Sequence, residues 1–236
     1  MQFTRYFRGL KTGLPVGLGY FSVSFGFGAM AAAQGVRVID ATLISVTNVT
    51  SAGQFAGLML IVAGTTVWEM ILTMLVINSR YALMSLALSQ RMGERIGLLP
   101  RFLIAFFNTD EIFALAMAEQ EPLTVPFLLG LGGLPILGWT GGTLLGALAG
   151  SVLPDSIRTA LGVMLYGMFI AIVVPQAKQE KSMLVCLALA MVFSGLFTWL
   201  PVLQSVSSGL AIVICTVAAA AICAWLFPIA DEEVEA

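Results

Sequence analysis

Long apolar runs fill this chain of 236 residues, and they constrain its fold more than any other feature. Eight runs follow one another with short, mostly charged connections: 13–34, 41–63, 66–88, 99–118, 124–150, 157–175, 182–200 and 206–227. A membrane-spanning helix needs about 20 apolar residues. We therefore predict an all-α, polytopic transmembrane helical bundle with about seven to eight membrane segments, some of them broken or re-entrant.

The composition agrees with a membrane protein and excludes several other classes. Hydrophobic residues make up 59% of the chain and charged residues 10%, against about 25% charged residues in soluble domains. This excludes a soluble enzyme, a disordered protein and a secreted disulfide scaffold. The net charge of −2 provides no basic field for nucleic acid. We predict a single integral membrane domain over 1–236, with a basic segment at 1–12 and an acidic tail at 228–236.

The chain contains no histidine, which narrows the chemistry it can perform. Ser-His-Asp and Cys-His catalysis and HExxH zinc sites are excluded together. The three cysteines, at 186, 215 and 223, lie in apolar runs and are expected to be buried small hydrophobes. We expect no metal, no cofactor and no enzymatic activity, and any proton must be carried by carboxylates.

The positive charges raise a question about membrane orientation. They form three clusters, at Arg5/Arg8/Lys11, Arg91/Arg95/Arg101 and Lys178/Lys181. The positive-inside rule places all three in the cytoplasm, yet three apolar runs separate each neighbouring pair of clusters. Either some runs are re-entrant or broken, or one loop violates the rule. The Gly/Pro-rich stretches 13–28 and 130–138 and the polar stretch 47–51 have the composition for such breaks.

The most informative polar cluster is Asn108-Thr109-Asp110-Glu111, in the middle of the run 99–118. Two adjacent carboxylates at this depth cannot both be ionised cheaply, so we expect them to face Arg80, a cation or a substrate ammonium group. The alternative is that 99–118 does not span the membrane and that the quartet is an exposed helix start.

Two other runs carry polar side chains. In the run 66–88, Glu69 and Arg80 fall on one helical face, with interfacial placement and snorkelling as the alternatives. In the run 41–63, Thr47, Ser51 and Gln54 share a predicted face. Such residues supply donors and acceptors for a zwitterion, or contacts between helices without a ligand.

Glycine recurs every fourth residue from Gly138 to Gly150, which predicts close helix packing. There is also a weak internal sequence similarity. The motif 13–16 resembles 133–136, and Gly19-Tyr20 resembles Gly138-Trp139, so an internal duplication stays open.

Four short motifs resemble those of a known family and occur in its order, in a chain of its size: Gly13-Leu14-Pro15-Val16 to Gly28, Ser51-Ala52-Gly53-Gln54-Phe55, Ile77-Asn78-Ser79-Arg80-Tyr81-Ala82-Leu83-Met84, and Thr109-Asp110-Glu111 to Ala114. Over nearly its whole length the chain resembles the AzlC (LIV-E) family of branched-chain amino acid permeases. The family often has histidine after its Asn-x-Arg motif, where this chain has Tyr81. If that histidine carries protons in relatives, coupling here must differ or rest on the carboxylates.

The resemblance implies a multi-pass exporter of leucine, isoleucine and valine, and sometimes methionine, in the cytoplasmic (inner) membrane of a prokaryote. It also implies a small AzlD-type membrane protein as partner, and a higher oligomer stays open. For a zwitterionic substrate we expect binding by Asn48, Ser51, Gln54, Asn78, Arg80 and Asn108, and ammonium binding or proton coupling by Asp110, Glu111 and Glu69. The alternatives are a channel or uncoupled pore for a small polar solute, and a non-transporting membrane assembly subunit.

Overall fold

The fold is seen in a computed structural model that describes residues 2–92, 96–150 and 180–228, with single residues at 154, 156, 170, 174, 177 and 178. Its described part contains nine helices and no strand: α1 Gln2–Ala33, α2 Val38–Thr47, α3 Ser51–Val62, α4 Val67–Met92, α5 Leu98–Phe106, α6 Asp110–Ala118, α7 Val125–Gly150, α8 Lys181–Trp199 and α9 Ser208–Leu226. Five of them (α1, α4, α7, α8 and α9) are long and apolar enough to cross a membrane. The predicted all-α membrane bundle is confirmed.

Parts of the predictions lie outside the described residues. These are most of the run 157–175, Arg95 and the tail from 229 onward. The chain divides into two compact units, the first comprising 1–58 and 78–166 and the second 59–77 and 167–236. The expectation of a single integral membrane domain stays a prediction.

Helices α1 and α7 form the centre of the first unit, where they lie side by side and run parallel. A Cβ built on Gly9 would lie 2.1 Å from the carbonyl oxygen of Phe127, and one built on Gly28 would lie 2.1 Å from that of Thr143. The glycine repeat of α7 makes the reciprocal contact, with Gly146 equally close to α1. Only residues without a side chain permit backbones to approach so closely, and the predicted packing role of the repeat is confirmed.

The Gly/Pro-rich stretches do not interrupt their helices. Helix α1 continues through Pro15 and α7 continues through Pro135, so the breaks expected at 13–28 and 130–138 are wrong. A membrane helix tolerates proline where neighbouring helices support the backbone, and here the same stretches supply the glycines of the α1–α7 contact. The polar stretch 47–51 does contain a break, as predicted.

Helices α2 and α3 form a hairpin that enters from the end where α1 and α7 finish, which we call the carboxyl end. The hydroxyl of Ser45 in α2 lies 2.6 Å from the hydroxyl of Thr143 in α7, and α2 ends shortly after Ser45. After residues 48–50, α3 turns back, so that Phe55 packs edge-on against Phe27 of α1. We call residues 48–50 the first tip. With 10 and 12 residues, α2 and α3 each extend about half-way through a bilayer.

Helices α5 and α6 form a second hairpin that enters from the opposite end, where α1 and α7 begin, which we call the amino end. Residues 107–109 connect the two helices, and we call them the second tip. Helix α6 then runs antiparallel to α1, because Glu111 in its first turn contacts Tyr20 and Glu119 after its last turn contacts Arg8. The run 99–118 is therefore two helices of nine residues, and its expected single segment is wrong.

An ionic network closes the amino end of the first unit. Arg8 of α1 pairs with both Glu119 and Glu121, and Arg91 of α4 donates a hydrogen bond to the backbone oxygen of Glu119 at 2.5 Å. The backbone N–H of Glu121 and the Arg8 guanidinium lower the pKa of the Glu119 carboxyl. The start of α1 and the end of α4 thus lie together. A re-entrant hairpin enters and leaves the membrane on the same side. The positive clusters that contain Arg8 and Arg91 can therefore share one side although three apolar runs separate them.

Candidate functional site

The first tip gathers several predicted binding residues around the start of α3. A Cβ built on Gly53 would lie 2.3 Å from Oγ1 of Thr50 and 3.2 Å from Oδ1 of Asn78 in α4. Both oxygens are buried and, among the described residues, have no hydrogen-bond partner. Ser51 begins α3 beside them. Two buried and unsatisfied polar side chains therefore lie at the N-terminus of α3, whose backbone dipole favours an anion.

The break at this tip changes one prediction. Thr47 ends α2 and donates its hydroxyl back to the carbonyl of Leu43 at 2.8 Å, whereas Ser51 and Gln54 belong to α3. The three residues therefore do not share one continuous helical face, because the chain changes direction between them. Asn48 is the C-cap of α2, with extended backbone and its N–H bonded to the carbonyl of Ile44.

Gln54 is fully buried and connects three helices. Its Nε2 donates to the hydroxyl of Ser45 in α2, and its Oε1 accepts from the indole N–H of Trp139 in α7 at 2.8 Å. Both ends of the amide are thereby satisfied, which a buried amide requires. Gln54 fixes the first hairpin to α7, and its predicted contact with substrate stays a prediction.

The second tip brings together the acidic pair and Arg80, as the sequence suggested. Nη1 of Arg80 in α4 lies 2.8 Å from Oδ2 of Asp110, and the two side chains are 48% and 44% exposed. The Tyr20 hydroxyl of α1 donates to Oε2 of Glu111 at 2.5 Å and lies 2.6 Å from Oγ1 of Thr109. Each carboxylate therefore has its own partner, and both occupy the first turn of α6, where the helix dipole stabilises negative charge.

Asn108 lies at the second tip and is only 3% exposed. Its Nδ2 donates to the hydroxyl of Ser85 in α4 at 3.2 Å, while its Oδ1 finds no partner in the described part of the chain. A buried acceptor without a donor is costly unless a ligand or water supplies one. The cluster 108–111 therefore lies at the start of a helix, as the alternative prediction stated. Asn108 and Thr109 are buried, however, and not exposed.

An aromatic contact connects the two tips. The rings of Tyr20 and Trp139 meet edge to face with centroids 5.3 Å apart. Trp139 hydrogen-bonds to Gln54 of the first hairpin, and Tyr20 hydrogen-bonds to Glu111 of the second. Both tips thus belong to one continuous set of side chains at mid-height of the α1–α7 pair.

Glu69 lies in the second unit, whereas the other predicted site residues lie in the first. Its Oε1 accepts the backbone N–H of Gly209 at 2.8 Å, in the first turn of α9. A carboxylate at this position stabilises the N-terminus of a helix. The predicted polar face of α4 therefore serves two places, with Glu69 bonded to α9 and Arg80 bonded to Asp110 of α6.

Sequence reasoning missed Tyr20, Trp139 and Ser85. A signal for Tyr20 and Trp139 was present, because the dipeptides Gly19-Tyr20 and Gly138-Trp139 form part of the weak internal sequence similarity. The two glycines lie on parallel helices of the closely packed α1–α7 pair, and the two aromatic residues that follow them are in contact. Ser85 gave no signal, since a serine in an apolar helix is common.

Comparisons with known proteins identify related membrane proteins. The AzlC protein family matches residues 15–153, which run from within α1 through the end of α7 and include both hairpins. The inner membrane protein YgaZ of Escherichia coli is 28% identical over 197 residues, covering 80% of each chain. A membrane protein of Archaeoglobus fulgidus is 30% identical over 173 residues, covering 72% of this chain and 75% of its own. No solved structure matches.

Proposed function

This chain belongs to the AzlC family of multi-pass membrane proteins, and from that membership and the chemistry of the two tips we propose that it exports branched-chain amino acids. The substrates are leucine, isoleucine and valine, with methionine as a further one. The protein acts as a secondary transporter in the cytoplasmic membrane of a prokaryote and not as an enzyme. The observation that supports the proposal most strongly is that two half-helices of opposite electrostatic character begin at mid-height.

The N-terminus of α3 suits the substrate carboxylate. Its first turn carries no acidic residue, so the positive end of its dipole is not neutralised there. The hydroxyls of Thr50 and Ser51 and the amide of Asn78 stand beside it. Discontinuous helices in transporters use such backbone ends to hold the carboxylate of an amino acid.

The N-terminus of α6 suits the substrate ammonium group. Asp110 and Glu111 supply negative charge, and Oδ1 of Asn108 is an acceptor in need of a donor. Arg80 balances Asp110 while the site is empty and can release it when the ammonium group arrives. In a chain without histidine, Asp110 or Glu111 would also carry the coupling proton.

An uncoupled pore is the competing function, because polar re-entrant tips also line pores. A pore that selects by charge usually carries one sign at its constriction. The second tip carries both signs, in the pair Arg80–Asp110. The AzlD-type partner remains part of the proposal, and reconstitution with and without such a protein tests it.

The deciding experiment is counterflow of radiolabelled leucine into proteoliposomes loaded with unlabelled leucine. We expect saturable exchange that valine competes for and that Asp110→Asn abolishes. Asp40→Asn is the matched control. Asp40 forms an ion pair with Arg37, in which Oδ2 and Nε are 2.6 Å apart, and this pair belongs to neither tip. Flux that rises linearly with leucine concentration would support the pore, and no exchange by folded protein with its partner would remove the substrate assignment.

A charge-reversal pair separates substrate binding from structural pairing. Arg80→Asp combined with Asp110→Arg can restore the ion pair. It moves the negative charge from α6 to α4, however, and so removes it from the place where the substrate ammonium group is proposed to bind. We expect folded protein without leucine exchange. Exchange at the wild-type rate in the doubly reversed protein would show that the pair only fastens α4 to α6.

A further inference from the structure

The phenol of Tyr20 in α1 holds the second tip at two successive places. Its O–H donates to Oε2 of Glu111 at 2.5 Å, and its oxygen lies 2.6 Å from Oγ1 of Thr109. A phenol carries one proton, so the charged carboxylate accepts it and the threonine hydroxyl donates to the phenolic oxygen. Thr109 is the N-cap of α6 and Glu111 lies in its first turn, so one side chain of α1 fixes the start of α6.

The ring of Tyr20 is itself held in place. It meets the indole of Trp139 in α7 edge to face, with centroids 5.3 Å apart, and Trp139 is only 2% exposed. The indole N–H is bonded in turn to the fully buried Gln54. A tyrosine side chain has few torsions, so a ring packed against a buried indole presents its hydroxyl at a fixed place.

The two carboxylates at the start of α6 are held by different kinds of partner. Asp110 is paired with Arg80, a long side chain with many rotamers, which can swing away when an ammonium group replaces it. Glu111 is bonded to the rigid ring of Tyr20 instead. Asp110 is therefore available to a substrate, whereas Glu111 is committed to the geometry of the tip.

We propose that Tyr20 is a positioning residue of the transport site, which acts through Glu111 and Thr109 and leaves Asp110 as the carboxylate that meets the substrate ammonium group. This inference rests on the proposed function and separates the roles of the two acids. Their place in the helix does not separate them, because both lie in the first turn of α6. Their partners do.

The test measures the initial rate of leucine counterflow against leucine concentration, in proteoliposomes that contain the partner and either wild type or Tyr20→Phe. Phenylalanine keeps the ring contact with Trp139 and removes both hydroxyl contacts. We expect the KM for leucine to rise roughly tenfold at an unchanged maximum rate, because a displaced tip binds less tightly but is filled again at saturating leucine. A merely structural role would lower the maximum rate at the wild-type KM, since less carrier would be folded.

Tyr6→Phe is the matched control, because Tyr6 lies on the same helix, packs against Phe7 and belongs to neither tip. It should keep the wild-type KM. A second comparison separates the two acids. Glu111→Gln keeps an acceptor for the phenol and should retain leucine exchange, whereas Asp110→Asn should abolish it. Loss of exchange in folded Glu111→Gln as complete as in Asp110→Asn would overturn the separate roles.

Thr109→Val covers the case in which Tyr20→Phe does not fold. It removes one of the two contacts of the phenol and no capping bond, since the Thr109 side chain does not cap α6. Its KM for leucine should also rise, by a smaller factor. A wild-type KM in folded Tyr20→Phe, or in Thr109→Val where Tyr20→Phe does not fold, overturns the positioning role. Absence of leucine exchange in wild type with its partner instead refutes the proposed function itself.

Discussion

Replacing glycine by alanine along α7 should separate packed positions from open ones within a single helix. A Cβ built on Gly146 would lie 2.0 Å from the carbonyl oxygen of Phe25, whereas contacts of real Cβ atoms essentially never fall below 3.0 Å. At Gly133 and Gly141, no described atom comes within 4 Å of the added carbon. The same one-carbon change therefore forces α1 and α7 apart at Gly146 and meets open space at Gly133 and Gly141.

The size of the effect follows from the displacement required. Helix α1 must move by at least about 1 Å to accept Gly146→Ala, and the backbone oxygen that it meets cannot rotate away. Overpacking of this kind costs about 1–3 kcal/mol. For a chain of this size, 1 kcal/mol corresponds to a shift of roughly 2–4 °C in the melting temperature. Gly133→Ala and Gly141→Ala should be neutral or stabilising by up to about 1 kcal/mol, because alanine is the better helix former.

The assay is thermal unfolding of purified protein in detergent, followed by tryptophan fluorescence and by the fraction that remains monodisperse after heating. Gly146→Ala should melt several degrees below wild type, and the two control variants should melt at or above it. Gly28→Ala, on the facing helix, should behave like Gly146→Ala. Equal melting temperatures for Gly146→Ala and Gly133→Ala would refute the close parallel packing of α1 and α7.

Two further predictions concern polar contacts of the first unit. Gln54→Leu leaves the buried Trp139 indole N–H without a partner and removes one of the two contacts of the Ser45 hydroxyl, so we expect a loss of about 1–3 kcal/mol in unfolding free energy, measured by the same thermal unfolding. Glu119→Gln removes one of the two carboxylate partners of Arg8, the other being Glu121. Because the folded protein lowers the pKa of Glu119, its contribution is complete above roughly pH 5 and is lost as the pH falls through that pKa. The melting difference from wild type should therefore be largest near pH 7 and shrink as the pH falls below the ordinary titration range of a glutamate, and a difference that stays constant over this fall would contradict the assigned pairing.

The sequence predicted the fold class well because membrane helices are specified by local composition. The helix pattern and the meeting of Arg80 with Asp110 both follow from the cost of charge in an apolar run. The position of Glu69 could not be predicted in the same way. Its partner is the backbone of Gly209, 140 residues away, and a backbone N–H leaves no mark in the sequence.

Not all positions of the helix breaks could be predicted from local sequence patterns. Glycine and proline in α1 and α7 resemble helix breakers, but the neighbouring helix decides their role, and the contact from Gly28 to Thr143 exists only in the folded unit. The true break at 107–109 contains neither residue. It occurs where Asn108 and Thr109 end one short helix and begin another, and the apolar residues on either side conceal it.

The packing of α1 against α7 also sets an order for assembly during synthesis. The glycine face of α1 and the partner of Gln54 are both completed by α7, which begins only at Val125. Until that helix leaves the ribosome and enters the bilayer, Gln54 has no Trp139 to bond with, and the tip of the first hairpin is shielded from lipid only in part, by α1 and α4. The α2–α3 segment must therefore wait at the membrane surface or in the insertion machinery, so a nascent chain halted before α7 should remain accessible to proteases and water-soluble labels at residues 48–50.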